Sequence, residues 1–257
     1  MSEIGNFIFE DDNVKSYIEK EIFILKIKKN AFEIATDLNE SNQLFRILSS
    51  VDREEKIKIV FLYNETGSMD EESYESYLQH LLNIQPDNSA AFINDIEKQT
   101  IRSRQINILN NFIQIVLNVK KLVVFGLQGC IVTPFFGASL AGDIRFATED
   151  LLFSLAHTKY GIHPTGALPF FLPKYVGMNR AQQILFRDDK IKATEAGDFG
   201  LVHQIFPVDN FPERCLTELS KLSEHQMNLL RTTKQLLNIH YKEIQYYFEQ
   251  ESKITLL

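Results

Sequence analysis

Two hydrophobic periods alternate along this 257-residue chain. "EIFILKIKK" (21–29) alternates apolar with polar residues as a half-buried strand does, and "NQLFRILSSVDRE" (42–54) repeats apolar residues at helical spacing. "KIKIVFLY" (56–63) and "KLVVFGLQG" (121–129) are short apolar runs rich in β-branched and aromatic residues, which predict strands covered on both faces. Between them, "DEESYESYLQHLLNI" (70–84) and "NDIEKQTIRSRQINILNNFIQIVLNV" (94–119) predict helices laid over the sheet. Gly161, Pro164, Gly166, Pro169, Pro173 and Gly177 then follow too closely for a long element and predict a shaped loop beside short strands. "NRAQQILFRDDKIKATEAGDFGLVHQIFP" (179–207) returns through a helix, a two-residue acidic turn, a second helix from near Thr194, and a strand at "GLVHQIF". Repeated strand–helix alternation argues for an α/β layered domain with a mostly parallel sheet.

Composition narrows the function classes. With 44% apolar and 24% charged residues, the chain can fill one sizeable core. A net charge of −7 argues against tracking phosphates, so nucleic acid is not an expected partner. The opening twenty residues lack a basic region followed by an apolar one, and no stretch has the length of a membrane span, so a cytoplasmic location without membrane contact is expected. Cys130 and Cys215 are 85 positions apart and read as two buried thiols; no metal is expected.

The run from Lys121 to Pro207 resembles the crotonase (enoyl-CoA hydratase/isomerase) superfamily. "LQG", "CIVTPFFGASLAGD", "RFATEDLLF", "KYGIHPTGA", "LPKYVGMNRAQQILF" and "ATEAGDFGLVHQIFP" match its successive motifs in order and spacing. The resemblance implies a ClpP/crotonase-like ββα spiral, with residues 1–207 as the α/β core and 208–257 as a C-terminal helical region. It also implies a homotrimer or hexamer. The implied substrate is an acyl thioester on coenzyme A or on a carrier protein's phosphopantetheine, with no separate cofactor. In that family two backbone N–H groups polarise the thioester carbonyl and stabilise an enolate.

Carried over residue by residue, this chain departs from the family pattern. The glycine run falls on Thr133, Pro134 and Phe135, so one oxyanion donor falls on a proline, which has no N–H to give. Placed at the first position of a helix, Pro134 leaves the N–H groups of Phe135, Phe136 and Gly137 as candidates for a displaced anion site. The first oxyanion donor has its nearest equivalents in Gly67 and Ser68. The two hydratase glutamates map onto Gly137 and His157, so ordinary enoyl-CoA hydration lacks its acid/base pair. His157 is the candidate acid, because imidazole titrates near neutrality. His163 in the next loop and Tyr77 in the helix over the pocket are further candidates, beside Tyr74, with core packing as the competing reading of the tyrosines.

"TKYGIHPTGALPFFLPKYVGMNRAQQIL" looks most like the decarboxylating members of polyketide β-branching cassettes, although Leu236 stands where a histidine is expected and His240 lies one turn onward. The resemblance therefore implies decarboxylation or double-bond isomerisation of an acyl thioester. Two other classes stand beside it. One is a catalytically silent scaffold of the same fold. The other is a hydrolase, acting on a C–C bond through His157 or as a serine peptidase through Ser139 and His163. In the C-terminal helices, Leu229, Leu230, Thr233, Leu237, Ile244, Tyr247 and Phe248 recur at helical spacing and predict a stripe buried in a trimer.

Overall fold

The computed structural model describes residues 7–81, 96–187 and 190–255. The acidic turn expected at 188–189 and the predicted helical residues 82–84 and 94–95 lie outside the described residues.

The chain starts with an antiparallel meander, β1 (Phe9–Glu10), β2 (Val14–Glu19) and β3 (Ile22–Ile27), and continues through α1 (Ala31–Ile34), α2 (Leu38–Arg53) and β4 (Ile59–Asn64). Helices α3 (Glu71–Leu81) and α4 (Ile96–Asn118) precede β5 (Leu122–Leu127). Then come β6 (Cys130–Val132), the short α5 (Phe135–Ser139), β7 (Ile144–Thr148), β8 (Leu152–Ser154) and a 3₁₀ turn at Ala156–Tyr160. The last part holds α6 (Leu168–Arg187), β9 (Ile191–Lys192), α7 (Ala193–Asp198), β10 (Gln204–Phe206), α8 (Phe211–Ser223), α9 (Met227–Leu237), a 3₁₀ turn at Asn238–Tyr241 and α10 (Ile244–Thr255).

The main sheet has the order β1-β2-β3-β4-β5-β7-β10, parallel from β3 onward. A second sheet, β6-β8-β9, stands beside it. Alternate residues of the parallel strands feed two cores. Phe23, Leu25, Val60, Leu62 and Val123 face α2 and α4 on one side, while Ile24, Ile59, Phe61 and Val124 face Phe211, Cys215 and Leu219 of α8 on the other. This corrects the half-buried reading of residues 21–29: Ile22 to Leu25 are all buried, because α8 covers the face the alternation assigned to water. Helix α2 begins four residues before the predicted run, where Asp37 Oδ1 accepts the N–H groups of Asn39 (2.7 Å) and Glu40 (3.0 Å) as an N-cap.

The predicted C-terminal stripe divides within one chain. Ile244 and Phe248 are buried and α10 packs along α4, whereas Leu229 (55%) and Leu237 (60%) stand exposed beside Leu236 and Ile239.

Helix α9 is tied to the sheet by a buried charge. Lys234 Nζ lies 2.8 Å from Asp143 Oδ2 and donates to the carbonyls of Val116 (2.9 Å) and Lys121 (3.1 Å); the same carboxylate oxygen accepts the Val123 N–H at 2.7 Å. Burial favours the neutral form of each partner, raising the Asp143 pKa and lowering that of Lys234, and the contact between them offsets that cost. Lys234→Met, which strands the carboxylate, is expected to cost about 3–5 kcal/mol by urea denaturation, whereas Lys234→Met with Asp143→Leu is expected to recover much of the loss.

Candidate functional site

A cavity of about 110 Å³ opens between the main sheet and helices α1, α2, α4 and α5, toward the C-terminal ends of the parallel strands. Leu25, Leu62 and Phe125 form its floor, and Leu48, Leu109 and Phe112 its helical wall. Phe135, Ala138 and Ser139 of α5 close one end, with Met69 from the turn after β4. The polar side chains reaching it are Ser41, Tyr63, Asn64 and Ser139, so no carboxylate or imidazole is in its described wall. Asn64 and Gln128 clip β4 to β5 at this end: Asn64 Nδ2 donates to the Gln128 carbonyl (3.0 Å), and Gln128 Nε2 to the Asn64 carbonyl (2.7 Å).

The short helix α5 shapes the closed end. Pro134 caps it, one residue before the position expected from sequence, and its carbonyl accepts the Ala138 N–H at 3.0 Å. Phe135 lines the cavity, and Phe136 turns into the core to stack on Phe153 at 3.9 Å. A Cβ on Gly137 would lie 2.4 Å from the Gly166 carbonyl oxygen, and one on Gly166 only 2.0 Å from the Pro134 carbonyl oxygen. The loop before α6 therefore occupies the volume that a glutamate at position 137 would need. Ser68 has spent its groups locally, since its N–H (3.2 Å) and Oγ (2.7 Å) both donate to the Glu65 carbonyl. The next residue, Met69, reaches the cavity, and its carbonyl accepts the Val132 N–H at 3.0 Å. Sequence reading passed over Met69; its one signal is an apolar residue inside an otherwise polar turn.

Beyond Phe135 lies a second, polar environment. Phe32 stacks on Tyr77 (5.3 Å) and meets Phe135 (4.8 Å) and Tyr74 (5.3 Å), and the buried Arg102 sits among Tyr74, Tyr77, His157 and His163. Arg102 Nη2 donates to the His163 carbonyl at 3.0 Å. The candidate acid of the sequence is buried beside Thr133. His157 is 3% exposed, its Nδ1 lies 3.1 Å from Thr133 Oγ1, and it is absent from the cavity wall. Burial first, then the charge of Arg102 and the competing titration of His163, push its pKa down to about 3, so it is a neutral imidazole at pH 7. His163 is held at about 4 by burial and Arg102. Burial raises the Tyr77 phenol far above its usual range. Ser139 Oγ donates to the Phe136 carbonyl (2.7 Å) inside α5, an arrangement without a histidine partner that does not form a serine nucleophile.

The family model for enoyl-CoA hydratase/isomerase matches residues 90–255, about two thirds of the chain. The chain belongs to the enoyl-CoA hydratase/isomerase family. The crotonase fold agrees: a Cupriavidus metallidurans enoyl-CoA hydratase/isomerase superposes with a TM-score of 0.71 at 21% identity, covering 96% of this chain and 89% of that one. An enoyl-CoA hydratase from Mycobacterium avium subsp. paratuberculosis gives 0.73 at 18%, covering 95% and 89%. Among curated relatives, human testis-specific chromodomain protein Y 2 is 26% identical over 62% of this chain, which spans 29% of that protein's length. Mouse peroxisomal enoyl-CoA delta isomerase 3 is 25% identical over 88% of this chain and 66% of its own length. In the present member of this family the described wall of the cavity holds no carboxylate. Among the described residues, no three metal-ligating side chains cluster and no helix is long and apolar enough to cross a membrane.

The buried imidazoles set an acid limit. A folded pKa depressed below the unfolded value of 6.5 means that the unfolded chain takes up protons the folded chain refuses, so stability is full above about 6.5 and falls as pH drops toward 4. Urea midpoints measured from pH 7.5 to 4.5 should decline on this limb. In His157→Asn, which removes one of these protons, the decline should be shallower.

Proposed function

We propose that this protein binds an acyl thioester with its acyl chain in the apolar cavity, and acts at the α-carbon by stabilising an enolate rather than by adding water. The observation that carries this reading is the cavity itself, apolar, sealed by α5, and without a carboxylate in its described wall. Hydration needs a carboxylate pair to activate water and deliver a proton; double-bond isomerisation and decarboxylation place less demand on such a pair and more on carbonyl polarisation. The loop pattern at 158–185 favours the decarboxylating branch, with coenzyme A or a carrier protein of polyketide assembly holding the acyl chain. The first-turn amides of α5 and the Met69 segment are the backbone groups nearest the closed end. His157 enters this reading as a neutral hydrogen-bond partner set by Thr133.

A second reading, a thioester-binding scaffold without turnover, is favoured by Pro134 and by the low proton affinity of His157. Calorimetric titration with hexanoyl-CoA, combined with assays of 3-enoyl-CoA isomerisation and malonyl-type decarboxylation, separates the two: saturable binding with turnover supports the enzyme, and binding alone supports the scaffold. Absence of binding removes both. Crotonyl-CoA hydration is expected to be undetectable, and Gly137→Glu is expected to destabilise the fold by about 1–3 kcal/mol or more without creating hydratase activity.

We also propose that Leu229, Leu236, Leu237 and Ile239 are covered by further copies of this chain in a trimer or a pair of trimers. Exposed apolar side chains this close together on one helical region mark an association surface. Light scattering at micromolar concentration should give at least three times the chain mass of 29.7 kDa, and Leu236→Asp with Leu237→Asp should lower it.

A further inference from the structure

The apolar space against the main sheet is interrupted once along its length. The cavity lies on Leu62 of β4 and on Phe125 and Leu127 of β5, which share one face of the sheet. Toward the N-terminal ends of the same strands, Val60 and Val123 on that face line a second, apolar void of about 10 Å³, covered by Ile115, Val116 and Val119 of α4. The step from Leu62 to Val60 is two residues of strand, about 7 Å. Leu48 of α2 and Leu62 line both spaces, so these two buried side chains form the partition between them.

The cavity wall also has no polar group to offer. Ser41 Oγ donates to the Asp37 carbonyl (2.7 Å) and Ser139 Oγ to the Phe136 carbonyl (2.7 Å). Asn64 Nδ2 donates to the Glu65 (2.9 Å) and Gln128 (3.0 Å) carbonyls, and its Oδ1 accepts the Gln128 N–H (3.0 Å). The Tyr63 ring belongs to the opposite core, where its hydroxyl bonds Tyr17. A hydroxyl or charge on a ligand inside this space would lose its water without gaining a partner from these side chains.

We propose that the cavity selects an unsubstituted hydrocarbon acyl chain of about six carbons or fewer, and that Leu48 sets the length. The proposal rests on the acyl-thioester reading and adds the size and polarity of the tail. With the thioester at the α5 end, the tail runs down the sheet face toward Leu48. An apolar cavity of about 150 Å³ takes the six carbons of a benzene ring, so the cavity of about 110 Å³ takes about four, beyond the carbonyl and α-carbons at the thioester end. Longer chains meet the Leu48–Leu62 partition. Truncating Leu48 to alanine removes three carbons from the partition and joins the cavity to the void beyond, lengthening the space by about that number of carbons.

The test is calorimetric titration of the intact protein with butanoyl-, hexanoyl-, octanoyl- and decanoyl-CoA, and with 6-hydroxyhexanoyl-CoA. In the wild type, octanoyl- and decanoyl-CoA are expected to bind about tenfold or more weakly than hexanoyl-CoA, the scale of overpacking a filled apolar site. The terminal hydroxyl should also cost about tenfold or more. In Leu48→Ala the optimum should move to octanoyl-CoA. Leu48→Val, which removes a single carbon and is the milder change to the core, should narrow the hexanoyl-to-octanoyl ratio and decides the matter if the alanine variant does not fold. The proposal is overturned if octanoyl-CoA binds the wild type as tightly as hexanoyl-CoA, if 6-hydroxyhexanoyl-CoA does so, or if the length preference is unchanged in the folded Leu48 variants. Absence of binding by every thioester overturns the acyl-thioester reading itself, and this proposal with it.

Discussion

The close approach of Gly166 to the start of α5 is the constraint on which the site depends. Two backbones meet there with space for hydrogen and nothing larger, and Gly166 takes a positive φ of 69° to make the contact. The approach holds the loop that leads into α6 against Pro134, Gly137 and Ala138, and so fixes the wall at the closed end of the cavity. It also accounts for the missing carboxylate at position 137 in steric terms. A side chain there competes with the Gly166 carbonyl, so this loop packing and a hydratase glutamate are mutually exclusive. The change in chemistry and the change in packing are one event.

Four cations are buried among the described residues, Lys121, Lys234, Arg145 and Arg102, and Lys121 Nζ donates to the Glu54 carbonyl at 2.8 Å. Lys234 is paired with Asp143 and two carbonyls. Arg145 gives Nε to the Leu201 carbonyl and Nη1 to the Gly142 carbonyl, and lies over the Tyr175 ring at 4.7 Å. Both are satisfied in the manner expected of structural charges, tying helix, strand and loop together. Arg102 bonds the His163 carbonyl through Nη2 at 3.0 Å and the Tyr74 side chain, and its Nη1 has no hydrogen-bond partner.

The parallel core was legible in the sequence because β4 and β5 are short apolar runs that only a strand buried on both faces tolerates. β3 was misassigned to a half-buried strand because Lys26 and Lys28, at its exposed end, imitate alternation; the cover on its second face comes from α8, nearly two hundred residues later. β6, β8 and β9 are two or three residues long and carry too few positions for any period to register. The site was legible where it depends on lost groups, at Pro134, Gly137 and His157. It was not legible where it depends on burial. A histidine reads the same in sequence whether it titrates near 6.5 or is pushed to about 3, and Arg102 within "TIRSRQ" has the appearance of a solvated helix face.

Electrostatics connects these observations. His157 and His163 are held neutral by burial and by the positive charge of Arg102, which resists a second proton in the same volume. A field that disfavours added positive charge favours negative charge placed there, and in a region of low dielectric that preference acts without solvent reorganisation. No carboxylate is in the described wall of the cavity, and Glu71 is engaged by Ser154 and Lys159 and Glu251 by Asn110 and Tyr247. Where a hydratase spends two carboxylates on moving protons, this chain has Gly137 and His157 at those positions, with the buried Arg102 beside His157. The resulting environment suits an anionic substrate or an anionic intermediate better than it suits the activation of water.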